Sequence, residues 1–182
     1  GTPVSVIASG APILVAGELQ GVLALYTDIT ALKRTEAALR ESEERFRAVY
    51  EGIPDPVAVS RLEDSLCVDV NEAFVRVSGY ARHEAVGRPA TELGIWTKDE
   101  DRERLLNEFH LFREVKNLEA EFRCKDGRVL TGLISARPLT LNGQPHLLSI
   151  TRDITQLKTA QAEKERLESQ LVQAQKLEAI GT

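Results

Sequence analysis

Three histidines, two cysteines and a repeated Asp-Ile-Thr phrase are the residues of this chain from which chemistry could be built. No metal-ligand cluster is apparent around His83, His110 or His146. Cys67 and Cys124 have neither metal nor redox spacing, and they read as small, half-buried strand residues of a reducing cytoplasm. No nucleophile with its base, no paired catalytic carboxylates and no Gly-rich phosphate loop stands out. The acidic run from Asp99 to Asp101 reads as the solvated first turn of a helix, where negative charge suits the positive end of the dipole.

The recurring phrase marks a strand-to-helix boundary. "TDITALK" at 27–33 returns as "RDITQLK" at 152–158, with Asp28 and Asp153 separated by 125 positions. Each phrase stands where an apolar, strand-like run gives way to helix formers. A short acceptor side chain at that point can bond the free N–H groups of the helix start. Asp28 with Thr30, and Asp153 with Thr155, are therefore candidates for tying a strand to a helix. The preceding residues also repeat: after a one-residue gap, Ser9, Pro12 and Gly17 align with Ser135, Pro138 and Gly143, and Gly1 with Gly127. Residues 1–28 thus read as the tail of a truncated copy of the domain that ends near Asp153.

The elements that would position these junctions follow from periodicity. Residues 4–26 are the most apolar stretch, but Pro12, Glu18 and Gln20 interrupt it and Gly10 and Gly17 punctuate it, so it reads as a hairpin rather than a membrane span. A lone hairpin is marginal in water and should be mobile or packed on a neighbouring molecule. Residues 29–50 contain no Pro or Gly and form a helix whose Ile29, Leu32, Leu39, Phe46 and Tyr50 fit a coiled-coil seam, weakened by Glu36 and Glu43. Two short strands follow, then a helix capped by Asn71 and closed by Gly79, another short helix ending at Gly87, and an amphipathic helix presenting Leu105, Phe109 and Phe112 on one face. Three strands come next, with turns at "KDGR" and "NGQ" and inward alternation of Leu118, Ala120, Phe122 and Cys124. Residues from 154 onward are helical, with Leu167, Leu171 and Ala174 at a 3-4 spacing that rotates towards Leu177 and Ile180. The sum is an α+β domain: a five-stranded antiparallel sheet with helices on one face, flanked by N- and C-terminal coiled-coil helices. Net charge −5 and pI near 5.4 provide no footprint for nucleic acid.

"ESEERFRAVYEGIPDPVAV", "VNEAFVRVSGYARHEAVGR", "CKDGR" and "TRDIT" together, in this order, resemble the PAS sensor family over residues 43–156. The ending "LVQAQKLEAIGT" is similar to the start of the first dimerisation helix of sensor histidine kinases. These resemblances imply four segments: 1–28, the hairpin of an upstream PAS domain; 29–50, a linker helix; 51–155, a complete PAS domain; and 156–182, a signalling helix entering the kinase dimerisation region. They imply the sensory region of a two-component histidine kinase, acting as a homodimer with a kinase catalytic region and a response regulator in its parent. The chain itself lacks the phosphoacceptor and ATP-binding motifs. The expected compartment is the cytoplasm, with any membrane anchor elsewhere in the parent and no membrane contact by these residues. The alternative is a ligand-free dimerisation scaffold and spacer.

The same resemblance implies that Asp153 and Thr155, with Asp28 and Thr30 upstream, transmit the signal. It also implies a small-molecule pocket, for which Phe74, Ile95, Trp96, Phe122 and Ile134 are lining candidates and Arg123 or Ser135 are polar anchors for an acid or amide. Some PAS domains hold haem through a histidine on the long helix, which makes His110 a minor candidate; flavin photochemistry would need a cysteine that is absent after "VGRPATELG". No cofactor is expected. The strand order implied for the family sets Cys67 and Cys124 at opposite sheet edges, beyond disulfide reach.

Overall fold

The computed structural model describes residues 3–180 of the 182-residue chain, without the side chains of Val15 and residues 177–180. Gly1, aligned above with Gly127, and the closing Gly181 and Thr182 of "QKLEAIGT" lie outside the described residues. The chain divides into two compact units, residues 1–49 and residues 50–182.

In the first unit, β1 (Val6–Val15) and β2 (Glu18–Asp28) form an antiparallel hairpin paired from Val6↔Asp28 to Val15↔Glu18, with an irregularity at Ile13/Leu14. Its turn places Ala16 and Gly17 at φ 50 and 87, the two left-handed residues that a two-residue hairpin needs. Its apolar side chains are exposed, Ile7, Leu19 and Leu23 among them. The helix α1 (Thr30–Gly52) begins here, with Leu32 and Leu39 more than half exposed.

The second unit has the strands β3 (Val57–Arg61) and β4 (Cys67–Val70), the helices α2 (Glu72–Ser78), α3 (Arg82–Ala85) and α4 (Asp99–Phe112), the strands β5 (Val115–Arg123), β6 (Val129–Leu141) and β7 (Gln144–Asp153), and the helix α5 (Thr155–Ile180). The sheet order is β4-β3-β7-β6-β5, antiparallel throughout. From Val129 to Ala136 β6 alternates, with Leu130, Ile134 and Ala136 buried, and these meet Leu118, Ala120 and Phe122 of β5 and Leu105 and Phe109 of α4 in one core. Cys67 on β4 and Cys124 just after β5 are free thiols at the two opposite edges of this sheet. The β6–β7 turn repeats the upstream turn, with Asn142 and Gly143 at φ 50 and 77.

Two expectations for α4 are corrected. Phe112 is 71% exposed, because Arg113 turns left-handed (φ 58) and ends the helix before a fourth apolar turn can seat. Asp101 is buried rather than solvated, its carboxylate accepting from Arg104 at 2.9 Å.

The Asn71 side chain joins four segments of this unit. It is fully buried; its Oδ1 accepts from Phe74 N, the helix cap, and from Val57 N, both at 2.9 Å. Its Nδ2 faces the carbonyls of Tyr50, Ile53 and Asp55 at 3.1–3.3 Å. One amide thus fixes the end of α1, the loop after it, β3 and the start of α2. Beside it, Arg82 of α3 donates to Glu51 Oε1 at 2.5 Å and to Asp69 Oδ1, while Glu51 Oε2 accepts from Glu72 N at 2.6 Å. Burial, and then the Asp69 charge, push the Tyr50 phenol well above its usual range.

Candidate sensory cavity and helix junction

Between the inner face of the sheet and the helices lies a cavity of about 130 Å³. The sheet contributes Ala58 and Ser60 of β3, Phe122 of β5, Ile134 of β6, and Leu147, Ser149 and Thr151 of β7. Phe74 of α2, the segment Ile95–Trp96, and Arg102, Leu105 and Leu106 of α4 close it, with Arg61 at the end of β3 and Ser65 of the β3–β4 connection. A second space of about 60 Å³ shares Phe74, Ile95, Phe122 and Thr151 with the first and extends to Arg123, Cys124 and Asp153. The Phe122 ring between them leans on Trp96, ring centres 4.9 Å apart, and covers Gly132, where a Cβ would fall 2.9 Å from the ring and 2.7 Å from Thr151 Cγ2. Glycine at this position is what lets Phe122 and Thr151 approach β6 so closely.

Of the residues singled out from sequence, Phe74, Ile95, Trp96, Phe122 and Ile134 line the larger cavity. Arg123 borders only the smaller one; its residue is exposed and its backbone N–H donates to Ile95 O at 2.7 Å. Ser135 lines neither, because its neighbour Ile134 faces inward and strand alternation sends Ser135 to the other face, where its hydroxyl accepts from Asn117 N at 3.0 Å. His110 is exposed, its Nδ1 is 2.7 Å from Leu106 O, and it borders neither cavity. Among the described residues no group of three or more His, Cys, Asp or Glu is arranged to hold a metal.

The polar lining was missed in the sequence. Ser149 and Thr151 stand in phase with Leu147 on β7, and Arg102 precedes Leu105 by one helical turn, so periodicity could have found them. Ser65 carries no such signal. Arg102 Nη2 donates to Ser65 Oγ at 3.0 Å, a contact across 37 positions.

The junction between β7 and α5 is built from four hydrogen bonds. Asp153 Oδ1 accepts from Thr155 N at 2.8 Å, capping the helix. Thr155 Oγ1 accepts from Thr131 N of β6 at 2.9 Å, Ile154 N donates to Thr131 O at 2.8 Å, and Lys158 N closes the first turn on Ile154 O at 2.9 Å. Ile154 is buried beneath them. Of the two side chains it is therefore Thr155, not Asp153, that reaches the neighbouring strand, alongside the backbone bond from Ile154.

The upstream unit contains the same four bonds. Asp28 Oδ1 accepts from Thr30 N at 2.8 Å, Thr30 Oγ1 from Ser5 N at 2.9 Å, Ile29 N donates to Ser5 O at 2.9 Å and Lys33 N to Ile29 O at 3.0 Å. The bond to Thr30 holds the Asp28 carboxyl below its usual range.

Comparison with known proteins agrees with this architecture. The model of the family described as "PAS fold" matches residues 44–154. A "Methyl sulfide methyltransferase-associated sensor" of Methanosarcina acetivorans is 29% identical over 156 residues, 82% of this chain and 14% of that protein. "Sensor histidine kinase TmoS" of Ectopseudomonas mendocina is 26% identical over 156 residues, 82% of this chain and 16% of that protein. The chain thus spans about a sixth or less of the length of these two relatives. Among solved structures, the PAS domain of an HTR-like protein from Haloarcula marismortui superposes with a TM-score of 0.58 at 29% identity, covering 67% of this chain and 99% of that one. With a five-stranded β4-β3-β7-β6-β5 sheet, helices over its inner face and a family match across that whole region, the chain belongs to the PAS family, and sensor histidine kinases are among its homologues.

Proposed function

We propose that this chain is the signal-coupling region of a sensor histidine kinase. In this reading residues 1–28 are the end of a preceding PAS domain, 29–50 a linker helix, 51–155 the sensing domain, and 156–182 the helix that leads to the kinase. A change in the core displaces β7; Asp153 and Thr155 hand that displacement to α5; two copies of α5, paired in parallel, rotate or slide, and the kinase reads the movement.

The observation that carries this reading is the duplicated junction: the same four bonds at Asp28–Thr30 and at Asp153–Thr155. A cap alone needs only the aspartate. The added threonine-to-strand bond, used at both sites, makes helix position depend on strand position. Thr151 lines both cavities and Asp153 the smaller, so the strand that ends at the junction also faces the place where a ligand would sit. Leu157, Leu167 and Leu171 are more than half exposed on α5, as a helix awaiting its partner requires. No helix among the described residues is long and apolar enough to cross a membrane.

The test is Asp153→Ala with Thr155→Val in the full-length parent. The reading expects autophosphorylation to lose its response to stimulus while the domain keeps its fold. A double variant that responds like the natural protein would refute it.

A further inference from the structure

We propose that the larger cavity binds a small monocarboxylate with an apolar body of about one aromatic ring, its carboxylate held by Arg102 and Ser65. This inference rests on the sensing role proposed above and names the class of ligand.

Size comes first. An apolar cavity of roughly 150 Å³ holds benzene, and the space here is about 130 Å³. The walls that would face the ring are Trp96, Phe122, Leu105 and Ile134.

Charge comes second. Two arginines border the cavity, and they differ in their partners. Arg61 is neutralised by Asp64, which accepts from its Nε at 2.9 Å and its Nη2 at 2.6 Å. Arg102 has no carboxylate within ion-pairing distance among the described residues; the adjacent Asp101 is taken by Arg104. Of the five N–H donors on a guanidinium, Arg102 spends one, on the neutral hydroxyl of Ser65 at 3.0 Å. Ser65 itself sits at φ 60, an unfavourable conformation for a residue with a Cβ, held by Ser65 N donating to Arg61 O at 2.9 Å. The hydroxyl and the guanidinium together provide a planar fork of donors at the edge of an apolar space, which matches one carboxylate. A single uncompensated cation favours a monoanion over a phosphate dianion.

The test uses the whole chain and its single tryptophan, Trp96, as the reporter. Benzoate is titrated against its neutral isosteres benzamide and benzyl alcohol, following Trp96 fluorescence and confirming stoichiometry by calorimetry. Benzoate is expected to saturate the signal at least about tenfold more tightly than benzamide, the scale of one charge-assisted pair. Arg102→Gln should bring benzoate down to the level of benzamide and leave benzamide unchanged, and Ser65→Ala should weaken benzoate selectively. Equal affinity for acid and amide, benzoate binding that survives Arg102→Gln, or the absence of saturable binding at millimolar concentrations would each overturn the assignment. Amide exchange in the first turn of α5 separates this proposal from the coupling reading. If benzoate binds as stated and that turn does not respond, the ligand class stands and the coupling falls; if benzoate fails, the ligand class falls and coupling is judged by the junction variants alone.

Discussion

Replacing Asn71 should be among the most damaging single changes available in this domain. Asn71→Ala removes two accepted bonds at 2.9 Å and the donations to three carbonyls, and leaves Val57 N and Phe74 N without their acceptor in a fully buried position. At about 1 kcal/mol net for each bond, with added desolvation cost for stranded groups, the loss is about 3–5 kcal/mol. That is a large fraction of the roughly 5–15 kcal/mol that holds a domain folded, and corresponds to a midpoint lowered by roughly 10–20 °C. Asn71→Asp separates the two halves of the interaction: it keeps the cap and the Val57 bond but turns a carboxylate towards three carbonyl oxygens. Its folded pKa must therefore be raised above that of the unfolded chain, since the protonated form can donate and the charged form repels. The sign follows from linkage. A raised folded pKa gives stability that is present below the unfolded value and lost as pH rises through the folded one. Relative to the natural chain, Asn71→Asp should thus recover as pH falls from 7 towards 4. Urea unfolding monitored by Trp96 fluorescence at several pH values measures both. A loss under about 1 kcal/mol for Asn71→Ala, or a relative gain for Asn71→Asp on raising the pH, would refute the view that this amide holds the entrance of the domain together.

Other outcomes follow from the same geometry. Thr155→Val removes the acceptor of Thr131 N while keeping the branched shape, and should accelerate hydrogen exchange at the Thr131 and Lys158 amides by about tenfold without changing exchange in β5. Gly132→Ala places a methyl against Thr151 and the Phe122 ring and should cost about 1–3 kcal/mol by chemical denaturation. Asp64 is lowered from 3.8 to about 2, first by its bond from Arg61, so the contribution of the β3–β4 turn is full above pH 3.8 and lost as pH falls through 2; the Leu66 amide shift should titrate in that window. Cys67 is pushed up to about 11 by burial, and Cys124 is also raised, so both thiols should resist iodoacetamide at pH 8 until the chain is unfolded, and mild oxidation should not join them.

Much of the sheet was legible because its pattern is local. Leu118, Ala120, Phe122 and Cys124 alternate with charged residues, and the turns announce themselves in "KDGR" and "NGQ". The same period, applied strictly, would have excluded one proposed anchor: Ser135 is next to the inward-facing Ile134 on β6, and alternation sends it to the other face. Asn71 was recognisable as a cap, since the two residues involved lie three apart, but its bonds to Tyr50, Ile53 and Asp55 exist only after the chain has folded back on itself. The Arg102–Ser65 contact is of the same kind. At Asp101, the expectation of a solvated run failed because Arg104, one turn on, satisfies the charge and permits burial.

The path of the chain into and out of the domain has an architectural consequence. Thr151 N donates to Pro56 O at 2.9 Å and Arg152 pairs with Asp55 at 3.2 Å, so the segment arriving from α1 and the strand departing towards α5 are held side by side at one end of the sheet. A domain whose two ends are neighbours behaves like a bead clipped onto a rod: it can be added, removed or exchanged while the helices on either side keep their own sequences. The helix α5, which leaves this bead behind its Asp-Ile-Thr clasp, is 26 residues long, about 39 Å. Lengthening that helix by one residue would turn its far end by about 100°, which makes helix length, as much as domain identity, a quantity that selection would have to preserve.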